Sequence, residues 1–130
     1  MYEWRSHTAE IELSIEASSE EQVFADALAA FAELVSVDAE GAAAQYDVVL
    51  EAADRASLLV EWLQELIFLA DTESFVAERA DDLRLDAISI RATLVGRRTP
   101  FEPLVKAATY HGLRFAREGN IWQAQVVLDV

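Results

Sequence analysis

Four residues stand out as able to do chemistry, three through oxygen and one through an ammonium group. Glu10 falls on the polar side of an alternating stretch near the start of the chain. Asp129 is the penultimate residue, on the side of the last alternating stretch that also carries Gln123, Gln125 and Val127. If those stretches are neighbouring strands, the two carboxylates and the terminal carboxylate of Val130 could converge. Oxygen-only donors suit a hard cation such as Ca²⁺ or Mg²⁺, not zinc. The competing reading is that these carboxylates face solvent by chance, because the chain holds 24 acidic residues. The fourth residue is Lys106, since the ten basic residues are nine arginines and this one lysine. Bias from a GC-rich genome or a salt-adapted host accounts for the scarcity of lysine. The same bias singles out Lys106, because an ammonium is a compact point charge with a tunable pKa and a guanidinium is a planar fork.

Other chemistry is sparse. His7 and His111 could act as bases, but an isolated histidine near a strand is more often structural. There is no glycine-rich phosphate loop, no HExxH and no GxSxG, and the four glycines form no dinucleotide fingerprint. The absence of cysteine excludes disulfides, thiolate catalysis and cysteine-ligated metals. No catalytic residue is assigned, and the chain is expected not to be an enzyme. A net charge of -14 argues against strong direct nucleic-acid binding, which rests on basic side chains. It favours a basic protein partner or a hard cation.

These residues must be positioned by a domain that 130 residues can build, with 53% of them hydrophobic. The start lacks the basic and apolar regions of a signal peptide. The longest apolar run, 58–70, is interrupted by Glu61, Gln64 and Glu65 and falls short of the roughly 18 residues of a membrane span. The expectation is a soluble, cytoplasmic monomer with no membrane contact.

Alternation of Ala9, Ile11, Leu13 and Ile15 with Glu10, Glu12, Ser14 and Glu16 predicts a first strand over 8–16. Ser18 with Glu21, or Ser19 with Gln22, can cap a helix over 19–36, whose stripe is Phe24, Leu28, Phe31 and Val35. A strand over 46–52 follows. Asp54 then caps a second helix, 54–70, with Leu59, Trp62, Leu63, Leu66 and Ile67 facing the core and Gln64 facing out. Strands are expected at 83–86, 88–95, 107–117 and 121–130, with Gly96 preceding a proline-punctuated loop, Thr99-Pro100-Phe101-Glu102-Pro103, and a hairpin at Glu118-Gly119-Asn120. The resulting β-α-β-α-β-β-β-β pattern is an α+β domain spanning 1–130, two helices on a mostly antiparallel sheet.

Four stretches, in order along the chain, resemble the archease family. His7-Thr8-Ala9-Glu10 is similar to its amino-terminal His-Thr-Ala-Asp signature. Leu58-Leu59-Val60-Glu61-Trp62-Leu63-Gln64-Glu65-Leu66 is similar to its second helix. Val105-Lys106-Ala107-Ala108-Thr109-Tyr110-His111 matches a valine-lysine-alanine-x-threonine-tyrosine-histidine block, and Val127-Leu128-Asp129-Val130 its ending. The resemblance implies a non-catalytic accessory protein that activates a tRNA-splicing RNA ligase by promoting guanylylation with GTP and repeated turnover. It also implies a divalent metal held by Glu10, Asp129 and a main-chain or terminal oxygen of Val130, and an activating role for Lys106. Some archeases have been regarded as chaperones of a tRNA methyltransferase, which gives an alternative partner. Two departures bear on the metal: Glu10 stands where aspartate is usual, and Ser6 where an aspartate often precedes the histidine. Calcium tolerates the longer side chain better than magnesium does, so Ca²⁺ is expected, with Mg²⁺ or Mn²⁺ as alternatives.

Overall fold

The computed structural model of the chain describes residues 1–7, 9–35, 41–99 and 105–130, with Ser6 and His7 described by their backbone. Thr8, Ser36 and the loop carrying Pro100 and Pro103 lie outside these residues. Nine elements follow in order: β1 (Tyr2–His7), β2 (Glu10–Ala17), α1 (Glu20–Val35), β3 (Ala42–Glu51), α2 (Arg55–Glu73), β4 (Phe75–Leu85), β5 (Ser89–Arg98), β6 (Ala107–Glu118) and β7 (Ile121–Asp129). The strands form two antiparallel sheets, β1-β2-β7-β6 and β3-β5-β4. Helix α1 packs chiefly on β4 and β2, and α2 on β6 and β4, so the helices join the sheets through one core. This is the expected α+β class, with its ladder divided in two.

Local chemistry explains the helix ends. The Gln22 N–H donates to Ser19 Oγ at 3.1 Å, so Ser19 caps α1. The Gln22 side chain reaches forward to Asp26 instead of back to the cap, which leaves the capping box half made. Asp54 has extended backbone (φ -154°) and accepts the Ser57 N–H at 2.7 Å, which caps α2 and holds its carboxyl below the usual aspartate range. At the far end Ser74 takes the left-handed conformation that glycine usually fills, and its N–H donates to Leu69 O. With no glycine to mark that stop, α2 runs beyond the expected 54–70, to Glu73.

Phe24, Leu28, Phe31, Leu59, Trp62, Leu63 and Leu66 are all buried as the helical stripes require. Trp62 lies at the helix–helix contact. Its ring meets Phe24 edge-on at 6.1 Å, and its Nε1–H donates to Phe24 O at 3.0 Å. The largest buried side chain therefore leaves no polar group unsatisfied. Among the described residues no helix is long and apolar enough to cross a membrane.

Several expected boundaries are corrected. Strand β1 is an addition, Tyr2–His7 pairing antiparallel with β2 from Tyr2↔Ile15 to His7↔Glu10. Ala9 is not an inward strand residue: it is exposed, with φ +59°, in the link between β1 and β2. Strand β4 begins at Phe75, eight residues before the expected start, and Asp86 and Ile88 fall outside the strands. Strand β5 runs through Gly96 to Arg98, three residues past the expected end, and a Cβ at Gly96 would come within 1.9 Å of Val76 O. β4 and β5 approach so closely there that only glycine fits.

Candidate functional site

The ladder of the first sheet fixes the geometry. Glu10 in β2 is the register partner of Asp129 in β7, and Asp129 is in turn the partner of Ala107 in β6. Directly opposed residues of an antiparallel pair project from the same face. Glu10 and Asp129 thus share the outer face, opposite the buried Leu13 and Leu128. Two carboxylates in such a pair repel each other, at a cost that a bound cation would remove.

The remaining candidates meet these two through the backbone. The Lys106 N–H donates to Asp129 O at 2.8 Å, and the Val130 N–H donates to Ala9 O at 3.1 Å. One side of Lys106 is anchored by Val105, which is buried, and the other by Ala108, whose N–H donates to Gln64 Oε1 at 3.1 Å. The ammonium itself is exposed. Glu10, Asp129, Val130 and Lys106 therefore gather at one end of one sheet, with the lysine bonded by main chain to the aspartate. Of the two histidines, the side chain of His7 lies outside the description, and His111 is exposed on a bulge in β6.

That bulge carries a feature the sequence did not signal. Thr109 pairs with Val127 and Arg114 with Gln125, so four residues of β6 oppose the single Val126. The excess pushes Tyr110 toward α2, where its hydroxyl donates to Glu61 Oε1 at 2.8 Å. The carboxylate acceptor raises the Tyr110 pKa above the usual phenol range. Gln64, expected to face out, is instead half-buried and serves β6. Glu61, Gln64, Glu65, Phe68, Asp71 and Lys106 border an open groove of about 370 Å³. No spacing rule in the chain pairs residue 61 with residue 110, or residue 64 with residue 108; only the packing of α2 on β6 does.

As a donor set, Glu10, Asp129 and Val130 offer oxygen alone. Among the described residues no three histidine, cysteine, aspartate or glutamate groups converge on one point. Such a set fits a hard cation that keeps part of its water shell, and it does not fit a soft or imidazole-ligated metal.

Comparison with known proteins supplies the class. The model of the archease protein family matches residues 2–130. The archease of Methanosarcina barkeri is 33% identical over 139 residues, covering 99% of this chain and 95% of that one. The archease of Pyrobaculum islandicum is 31% identical with the same coverage. In three dimensions, protein 1598 of Methanobacterium thermoautotrophicum superposes with a TM-score of 0.78 at 27% identity, covering 99% of this chain and 98% of that one. An archease of Thermotoga maritima, described as a possible chaperone, shares the fold with a TM-score of 0.69 at 23% identity, covering 100% and 98%. The chain belongs to the archease family.

Proposed function

We propose that this archease is a non-catalytic activator of a tRNA-splicing RNA ligase, promoting the ligase's GTP-dependent guanylylation and hence its repeated turnover. Glu10, Asp129 and Val130 would hold a divalent cation, Ca²⁺ first and Mg²⁺ or Mn²⁺ as alternatives, and Lys106 would be the activating group. One observation carries the reading: the Lys106 N–H is bonded to Asp129 O while Asp129 stands in register with Glu10. A cation held by this pair would add positive charge at the same end of the sheet as Lys106, whose side chain borders the groove against α2.

Nucleotidyl transfer needs charge stabilisation at a triphosphate and at a departing pyrophosphate. Preorganised cations aimed at developing negative charge are an effective way to supply it. Lys106 suits that role because its main chain is fixed on both sides while its ammonium stays exposed. The acidic exterior suits a basic partner and should speed association at low ionic strength.

The test is a turnover assay with the matching ligase, GTP and a divalent metal, counting products per ligase with and without this protein. Stimulation above one turnover is expected. Lys106→Ala should remove most of it, at least about tenfold, equivalent to about 1.4 kcal/mol of transition-state stabilisation. Lys106→Arg should restore only part, because the fork is not a point charge. Full stimulation by Lys106→Ala would take the lysine out of the mechanism.

A further inference from the structure

The second sheet carries a like-charge pair of the opposite sign. On the outer face of β3-β5-β4, Val49, Arg91 and Arg84 form one row across the three strands, with Arg91 and Arg84 direct register partners. Both arginines are exposed, and among the described residues neither has an ion-pair or hydrogen-bond partner. The other three arginines of this sheet do. Arg79 meets Asp81 at 3.1 Å, Arg97 meets Glu78 at 3.2 Å and Arg98 meets Glu73 at 3.6 Å.

A bulge creates the pairing. Asp81 pairs with Thr93 and Arg84 with Arg91, so two residues of β4 stand against the single Ala92. Without the extra residue Leu83 would face Arg91. The bulge holds Asp82 at φ +52°, turns Leu83 and Leu85 toward the core, and sets Arg84 outward opposite Arg91. Burial of the leucines explains the bulge but not two guanidinium groups face to face, an arrangement that costs stability unless an anion joins it.

The strands of this sheet are less acidic than those of the other. The strands of this sheet carry five arginines against five carboxylates, Asp47, Glu51, Glu78, Asp81 and Asp82, so the net charge of -14 resides elsewhere. Arg84, Arg91, Asp47, Asp82, Val49 and Thr93 border an open recess of about 580 Å³. Asp47, which accepts the Thr93 hydroxyl at 2.8 Å, and Asp82 are the opposing charges on its rim.

We propose that Arg84 and Arg91 form a binding site for a phosphate group, carried by a mononucleotide or by the end of an RNA strand. Two guanidinium forks can each offer parallel N–H donors to a tetrahedral dianion, which a single lysine cannot do. Val49, 63% exposed beside them, offers an apolar surface to a sugar or base. The site is independent of the Glu10–Asp129 end and does not rest on the ligase reading.

The test titrates the full chain with inorganic phosphate, a mononucleotide, and a short RNA with or without a terminal phosphate, in chloride-matched buffer, following arginine side-chain NMR signals. Saturable shifts at the Nε–H groups of Arg84 and Arg91 are expected. Arg84→Gln and Arg91→Gln should each weaken binding at least tenfold, and Arg79→Gln, whose partner is Asp81, should change it less than twofold. The unliganded variants should unfold at or above the wild-type midpoint, so lost binding will not be lost folding. Saturation by inorganic phosphate or mononucleotide points to a free source, and saturation by the phosphorylated RNA alone points to an RNA end. Shifts that never saturate, or Gln variants that bind like wild type, would overturn the proposal.

Discussion

The two sheets each carry one like-charge register pair, and the two pairs are of opposite sign. In β1-β2-β7-β6 the half-buried Glu10 pairs with the half-buried Asp129; in β3-β5-β4 the exposed Arg84 pairs with the exposed Arg91. Each pair sets like charges directly across an antiparallel ladder, a placement that works against folding. The acidic pair is wired into its surroundings, because Asp129 accepts from Lys106 and Val130 donates to the turn before Glu10. The side chains of the basic pair have no ion-pair or hydrogen-bond partner among the described residues, and their pairing depends on a bulge. Under the two proposals above, each pair would be relieved by an ion of opposite sign, a cation at one end and a phosphate at the other. The single core beneath both sheets is what holds the two arrangements in register.

That shared core offers the largest perturbation. Trp62→Ala should destabilise the protein by about 3–5 kcal/mol, combining a large cavity with the loss of a partner for Phe24 O. Both sheets should loosen together, seen as one cooperative denaturant transition at a lower midpoint. If instead the protection of β3-β5-β4 amides persisted while that of β1-β2-β7-β6 amides was lost, the sheets would be separate units and the comparison between them would lose its basis.

A smaller effect sharpens the contrast at the acidic end. In metal-free buffer, Glu10→Gln or Asp129→Asn should raise stability by about 0.2–1 kcal/mol, since each removes a like-charge pair. With Ca²⁺ the order should reverse, wild type gaining stability on titration and both variants losing at least about tenfold in calcium affinity, equivalent to about 1.4 kcal/mol. Calorimetric titration and thermal unfolding with and without Ca²⁺ measure both halves. Calcium binding that is unchanged in both variants would remove Glu10 and Asp129 from the metal site.

What was legible in the sequence follows from the range over which each cause acts. Period-2 alternation placed β2 and β7, period-3.6 stripes placed α1 and α2, and Asp54 announced its own cap, because these signals lie within a few residues of each other. Strand β1 escaped because Trp4 alternates with charged neighbours too briefly to register. The first half of β4 escaped because Phe75-Val76-Ala77 is a continuous apolar run, buried in the core, and shows no alternation. The end of β5 beyond Val95 escaped because Gly96 and the two arginines after it show no alternation, and the need for glycine appears only with Val76 O set against it. At the site, the convergence of Glu10 with Asp129 could be stated only as a condition, since no local signal says which strands are neighbours. The Gln64–Ala108 and Tyr110–Glu61 bonds, the bulge that turns Arg84 outward and the recess beside it are set by tertiary packing, beyond any pattern along the chain.

The smallest effect lies in the turn that feeds the acidic end. Ala9 holds φ +59°, a left-handed conformation in which a Cβ crowds the following carbonyl at a cost of roughly 1–2 kcal/mol. In that position its carbonyl accepts the Val130 N–H, joining the end of β7 to the start of β2 beside Glu10 and Asp129. Ala9→Gly removes the crowding, but it also gives the unfolded chain more freedom, which offsets about half the gain. The net expectation is a stabilisation of about 0.5–1 kcal/mol, with calcium affinity held within about twofold because the carbonyl is retained. Chemical denaturation at fixed calcium reads the first quantity and titration the second. A stabilised variant that binds Ca²⁺ like wild type would mean that the strain is a by-product of closing the turn. A stabilised variant with weakened binding would mean that the strained backbone sets the spacing of the two carboxylates. A variant no more stable than wild type would mean that Ala9 bears no strain and that the tether to Val130 alone fixes this end of the sheet.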